Sequence, residues 1–142
     1  MNLRLFVERQ RHAYLRDWNS VEQLGSAKVL TLNGSDNLST SFNGTTLSES
    51  FIDSGSNGLF FDDSITLCSG GSGFYCPTSP ISLSAVMEGI NGNNVSLNFS
   101  VANADTMVSA GEYAMNDFAA KAAGMFDWGL PFFYGRTIFY RN

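Results

Sequence analysis

Histidine is nearly absent from this chain; the one copy is His12. A serine nucleophile activated by an imidazole needs that base beside it. The serine-rich "CSGGSG" at residues 68–73 has none in its own region, which sets Ser–His hydrolysis aside. Cysteine is limited to Cys68 and Cys76, in "CSGGSGFYC". Two cysteines cannot fill a structural zinc site, and their spacing is too long for a C-x-x-C metal or redox motif. A short-loop disulfide is expected instead, which implies an oxidising compartment. Charge is sparse at 15%, and 8 basic residues face 13 acidic ones for a net charge of −5. An acidic chain is not a nucleic-acid binder by electrostatics. No apolar run approaches the ~20 residues that span a bilayer. "MNLRLFVERQR" has no uninterrupted apolar h-region, so no signal peptide is visible. No glycine loop leads into Lys-Ser or Lys-Thr, so a phosphate-binding loop is absent as well.

What is present points to a β protein. Apolar residues make up 44%, with 12 phenylalanines, among many Ser, Asn, Thr and Gly. A chain of 142 residues suits one domain, and at that length about two-thirds of the unfolded surface is buried. Such a composition is that of a loop-rich, exported type of domain. The charge is uneven. Residues 1–20 hold Arg4, Arg9, Arg11 and Arg16 against Glu8 and Asp17, a net +2. The remainder holds four basic and eleven acidic residues, a net −7.

Along residues 3–18, Leu3, Phe6, Val7, Tyr14, Leu15 and Trp18 recur at near-helical spacing. The spacing predicts an amphipathic N-terminal helix, either a docking helix or, given its arginines, one lying on a membrane surface. From Leu24 the pattern becomes strand-like. Asn43-Gly44 between two strand-like runs is a hairpin signal. "SLSAVM" and "NVSLNFSVA" flank "EGINGNN" and predict a second hairpin. Val95, Leu97, Phe99 and Val101 alternate with polar residues, as in a half-buried strand. "SAGEYAMNDFAAKAAG" is read as the one helix of the body, with Ser109 and Glu112 as a capping box and Gly124 as its stop. Met115 and Phe118 are read as core on that helix.

The chemistry centres on "FIDSGSNGLFF", residues 51–61. Asp53 sits between two apolar runs, followed by Ser54, Gly55 and Ser56. A simple turn needs no acid there. Asp53, Asp62 and Asp63 lack EF-hand spacing, so calcium is not expected; Asp62 and Asp63 are read as solvated turn acids. No metal and no cofactor is expected.

Hydrophobic-hydrophobic-Asp-Ser-Gly-Ser resembles the active-site loop of pepsin-like and retropepsin-like aspartic peptidases. In that chemistry two carboxylates share one proton, and one activates water while the other protonates the substrate carbonyl. The resemblance implies that Asp53 is catalytic, that Ser56 hydrogen-bonds it, that Gly55 lets the backbone turn tightly, and that Ser54 knits the loop to a partner loop. "FDWGLPFFYGRTIF" is similar to the closing segment of a pepsin lobe, where a hydrophobic-hydrophobic-Gly stretch packs beside the aspartate loop; Trp128 and Gly129 are the supports it implies.

"SFNGTTLSESFIDSGSNGLFF", "GFYCP", "FSVANAD" and "FDWGLPFFYGRTIF" together resemble a bacterial domain-of-unknown-function family, often predicted to be exported. The resemblance covers roughly Leu24 to Phe139. That family is bilobal and pepsin-like in pattern, its first half carries an Asp-Thr-Gly-Ser loop, and this chain looks like its second (C-terminal) lobe. The fold expected is therefore mainly β: an acid-peptidase-like single-lobe β-barrel at residues 21–142, preceded by a helical extension at 1–20 outside the family domain. The location implied is secreted or cell-envelope. The function implied is peptide-bond hydrolysis by a dyad completed by a missing first lobe or a homodimer. The alternative is a non-catalytic lobe for binding or scaffolding at the cell surface, or an inactive truncated lobe. The "EGINGNN" hairpin is the candidate flap, without the tyrosine expected there by analogy with pepsins.

Overall fold

Asn and Gly tolerate positive φ, and a two-residue hairpin loop of the favoured kind requires it at both positions. Asn43 and Gly44 take φ of 49° and 77°. They join strands numbered in chain order as β3 (Leu38–Phe42) and β4 (Thr45–Ile52). These strands come from a computed structural model, which describes residues 4–9, 28–111 and 113–141.

The second predicted hairpin forms from β6 (Ile81–Glu88) and β7 (Asn94–Val101), paired without interruption from Ile81–Val101 to Glu88–Asn94. The alternation read in β7 holds at its ends and centre: Leu97 and Val101 are buried while Ser96 and Asn98 face solvent. The remaining strands of this body are β5 (Leu59–Phe61), β8 (Ala119–Lys121) and β9 (Asp127–Trp128). Together they make a seven-stranded sheet of order β7-β6-β3-β4-β9-β5-β8. The sheet is nearly closed and barrel-shaped, and the described chain is mainly β with little helix.

Aromatic rings fill the interior. Phe61 stacks on Phe126 with centroids 4.9 Å apart, and Phe126 stacks on Trp128 at 4.2 Å. Phe42 and Phe99 meet this column edge-on or tilted. A ring of this size contributes about 2–3 kcal/mol when fully buried, so the phenylalanine richness of the sequence is spent on one core. Trp128 Nε1 donates to Thr40 Oγ1 at 3.0 Å, which satisfies both polar atoms inside it. Tyr75 is fully buried too; its hydroxyl donates to the Phe61 carbonyl at 2.7 Å, and burial pushes its pKa up to about 12.

Cys68 and Cys76 form the expected disulfide. It closes the loop that carries Tyr75 into the core. The bond is consistent with an oxidising, extracellular setting.

Two helix readings are corrected. The helix of the body is α1 (Ala104–Ser109), not residues 109–124. Asn103 caps it, its Oδ1 accepting the Thr106 amide at 3.0 Å. Ser109 is therefore its last residue rather than its cap, and Gly111 leaves the helix at φ 72°. Glu112 lies outside the described residues. The alanine-rich stretch that follows is strand β8, paired parallel to β5 from Leu59–Ala119 to Phe61–Lys121. Ala119 and Ala120 are buried there, and that sheet contact outweighs a helix preference of a few tenths of a kcal/mol per residue. Phe118 remains core, as read, against Cys68, Ala104 and Met107.

At the N-terminus, Arg4–Arg9 is not helical but forms β1. It lies between β2 (Lys28–Thr31) and β10 (Arg136–Arg141), antiparallel to both. Pairing on both sides supplies backbone partners that a lone amphipathic helix would find within itself. The rest of the predicted helix, residues 10–18, lies outside the described residues. Among the described residues no helix is long and apolar enough to cross a membrane.

Candidate functional site

β4 delivers Asp53 at its end, and residues 53–58 form the loop that leads into β5. β9 lies between these two strands, parallel to β4 through Phe51–Asp127 and Ile52–Trp128, and antiparallel to β5 through Leu59–Trp128 and Phe60–Asp127. The aspartate loop thus closes over the end of β9. Backbone bonds fasten it there: Asp53 N donates to the Trp128 carbonyl at 3.2 Å, and Leu130 N donates to the Ser56 carbonyl at 2.6 Å.

Gly129 makes this closeness feasible. A Cβ on it would stand 2.0 Å from the Gly58 carbonyl oxygen and 2.8 Å from that of Ser56. Both are backbone atoms, so neither can swing away. Just beyond, Pro131 opens the short 3-10 helix Leu130–Phe133, where its missing N–H costs nothing.

The loop orients the Asp53 carboxylate from both sides. Oδ1 accepts the Gly55 amide at 2.7 Å, and Oδ2 accepts from Ser56 Oγ at 2.8 Å. The Ser56 hydroxyl first and the Gly55 amide second lower the Asp53 pKa, against a smaller opposing effect of burial. A Cβ on Gly55 would stand 3.0 Å from Asp53 Oδ1, so a larger residue there would press on the carboxylate. Ser54 is exposed at the outer side of the loop.

One carboxylate beside this loop escaped the sequence reading. Asp127 is only 6% exposed, and its Oδ2 lies 2.9 Å from the same Ser56 Oγ. Its Oδ1 is buried with no hydrogen-bond partner. Burial raises the Asp127 pKa to about 6; the Ser56 hydroxyl works against the rise and the Asp53 charge adds to it. The signal in the sequence was its position. In "FDWG" an acid occupies one of the two places before glycine where the resemblance called for a hydrophobic residue.

The chain matches, over residues 17–141, the family described as "Protein of unknown function (DUF3443)". It belongs to that family. No curated protein and no solved structure matches it.

Other expected residues of this DUF3443 chain stand apart from the Asp53 loop. Asp62 pairs with Lys121 at 3.0 Å, and Asp63 Oδ2 accepts from Asn43 Nδ2 at 2.8 Å. The "EGINGNN" tip, read as a candidate flap, is fastened to β2. Ile90 N donates to the Thr31 carbonyl at 2.8 Å, and the Asn91 and Asn93 side-chain amides both donate to the Val29 carbonyl. A surface hollow of about 530 Å³ is lined by Phe99, Trp128, Phe132 and Arg136 among others, and not by Asp53.

Proposed function

We propose that this chain is one lobe of an aspartic-peptidase-like fold, with Asp53 as its catalytic carboxylate. The carboxylate facing it would come from another lobe or from a second copy of the chain. The observation that carries this reading is the grip on Asp53. One oxygen takes a backbone N–H, the other takes the Ser56 hydroxyl, and a glycine strand wedges beneath the loop. This grip supports the resemblance to pepsin-like and retropepsin-like loops. An exposed Ser54 fits a loop that must meet another loop. In this reading residues 21–142 are the lobe, residues 1–20 are appended to it, the substrate is a peptide, and the setting is secreted or cell-envelope.

A second reading has its own observation. An aspartate accepting the amide two residues on is also the common Asx turn. Asp53 would then be a structural acid in a non-catalytic lobe that binds or scaffolds. Sedimentation and cleavage assays on the purified chain separate the two. The catalytic reading expects a dimer that cleaves an unfolded protein between about pH 3 and 5, the range in which a carboxyl pair holds one proton, and no cleavage by Asp53→Asn. A strict monomer with no cleavage from about pH 3 to 7 favours the structural lobe and sinks the dimeric peptidase.

A further inference from the structure

We infer that Asp127 is a proton-holding positioning residue for Asp53, acting through the Ser56 hydroxyl, so that this one chain contains a carboxylic acid–hydroxyl–carboxylate relay. The inference goes beyond the peptidase reading, because it concerns protons inside the chain whether or not Asp53 meets a substrate.

Hydrogen counting carries it. Ser56 Oγ stands within hydrogen-bond distance of both carboxyl groups, 2.8 Å from Asp53 Oδ2 and 2.9 Å from Asp127 Oδ2. A hydroxyl has one hydrogen and donates to one acceptor at a time. If both acids were ionised, one short oxygen–oxygen contact would have no hydrogen in it. A proton on one carboxyl group repairs this. Asp127 is the one that takes it, since it is buried while Asp53 reaches solvent and is served by the Gly55 amide. The orphaned Oδ1 of Asp127 agrees. As the carbonyl oxygen of a neutral acid it loses little by having no partner, whereas a buried ionised oxygen without one is strongly disfavoured.

The resulting chain runs Asp127 Oδ2–H to Ser56 Oγ, then Ser56 Oγ–H to Asp53 Oδ2. If each hydrogen moves one step, an O–H bond breaks at Asp127 and one forms at Asp53. Ser56 gives one proton, receives one and stays neutral. Asp53 can thus be protonated from behind without a proton from solvent.

The surroundings of Asp127 contain little else that bears on its charge. Its partners across the sheet are Phe51 on β4 and Phe60 on β5, both apolar. Among the described residues, Asp53 is the ionisable group whose charge acts on it. The raised Asp127 pKa and the lowered Asp53 pKa run in the directions that the relay demands.

Carboxyl carbon NMR titration of the full chain tests this. Asp127 is expected to be half-protonated near pH 6 and Asp53 to titrate below the ordinary carboxylate range. In Asp53→Asn, the neighbouring charge is gone and the Ser56 hydrogen is free to turn to Asp127, so its midpoint should fall by about one pH unit or more. In Ser56→Ala, Asp53 should rise toward its ordinary value of about 3.9 while Asp127 stays high. Burial alone would leave the Asp127 midpoint in place in Asp53→Asn, and that result overturns the relay. So does an Asp127 that titrates in the ordinary range in the unaltered chain, or an Asp53 midpoint that Ser56→Ala does not move.

Discussion

A proton held by Asp127 makes stability fall as pH rises, opposite to the usual behaviour of a carboxylate. In the unfolded chain this group titrates near 3.9; in the folded chain burial raises it to about 6. Below about pH 4 both states hold the proton and the contribution of Asp127 to folding is complete. Between about pH 4 and 6 the unfolded chain loses the proton while the folded chain keeps it, so stability falls; above that it levels off. At about 1.4 kcal/mol per pH unit, moving the midpoint to about 6 corresponds to about 3 kcal/mol lost across that window. Asp127→Asn has nothing to titrate. Its amide can still donate to Ser56, although its second N–H is buried without an obvious acceptor, at about 1–3 kcal/mol. That penalty is the same at every pH, and Asp53 titrates in both proteins. The difference between the two stability curves therefore isolates Asp127. Urea unfolding at intervals from about pH 4 to 7.5 should show the variant gaining about 3 kcal/mol on the parent across the window. Parallel curves would refute the raised pKa and, with it, the buried neutral acid.

Three further outcomes follow from the same contacts. Gly129→Ala should destabilise the chain by about 3 kcal/mol or more, at the upper end of overpacking effects, as read by denaturant melts; a loss below about 1 kcal/mol would mean that the aspartate loop does not press on β9. Trp128→Phe keeps most of the ring packing but strands the Thr40 hydroxyl, and should cost about 1–3 kcal/mol, which Thr40→Val introduced together with it should partly restore. Thiol labelling of the unreduced, denatured chain should find no free cysteine, and replacing Cys68 and Cys76 by serine should lower stability by about 2–3 kcal/mol, the scale for so short a loop.

Much of the fold was legible in local sequence because its causes are local. Asn43-Gly44 has the backbone freedom that its turn needs, and the alternation in residues 94–101 survives as a strand with one buried face. Asp53 was also legible, since its two partners, Gly55 and Ser56, lie within three residues of it. The helix of the body was misplaced because residues 119–121 have helix-forming composition, and only their pairing with Leu59–Phe61 decides otherwise. Arg4–Arg9 failed for the same reason, its partners being β2 and, more than a hundred residues away, β10.

Asp127 marks the division most clearly. The amino-acid sequence by itself determined a phenylalanine-rich β domain, a disulfide loop, and an aspartate held by a glycine and a serine, because those features depend on composition and on neighbours along the chain. Tertiary structure alone decided that a second carboxyl group, separated from Ser56 by 71 residues, reaches the same hydroxyl. The threading of β9 between β4 and β5 brings it there, and burial in that strand, away from water, is what raises its pKa.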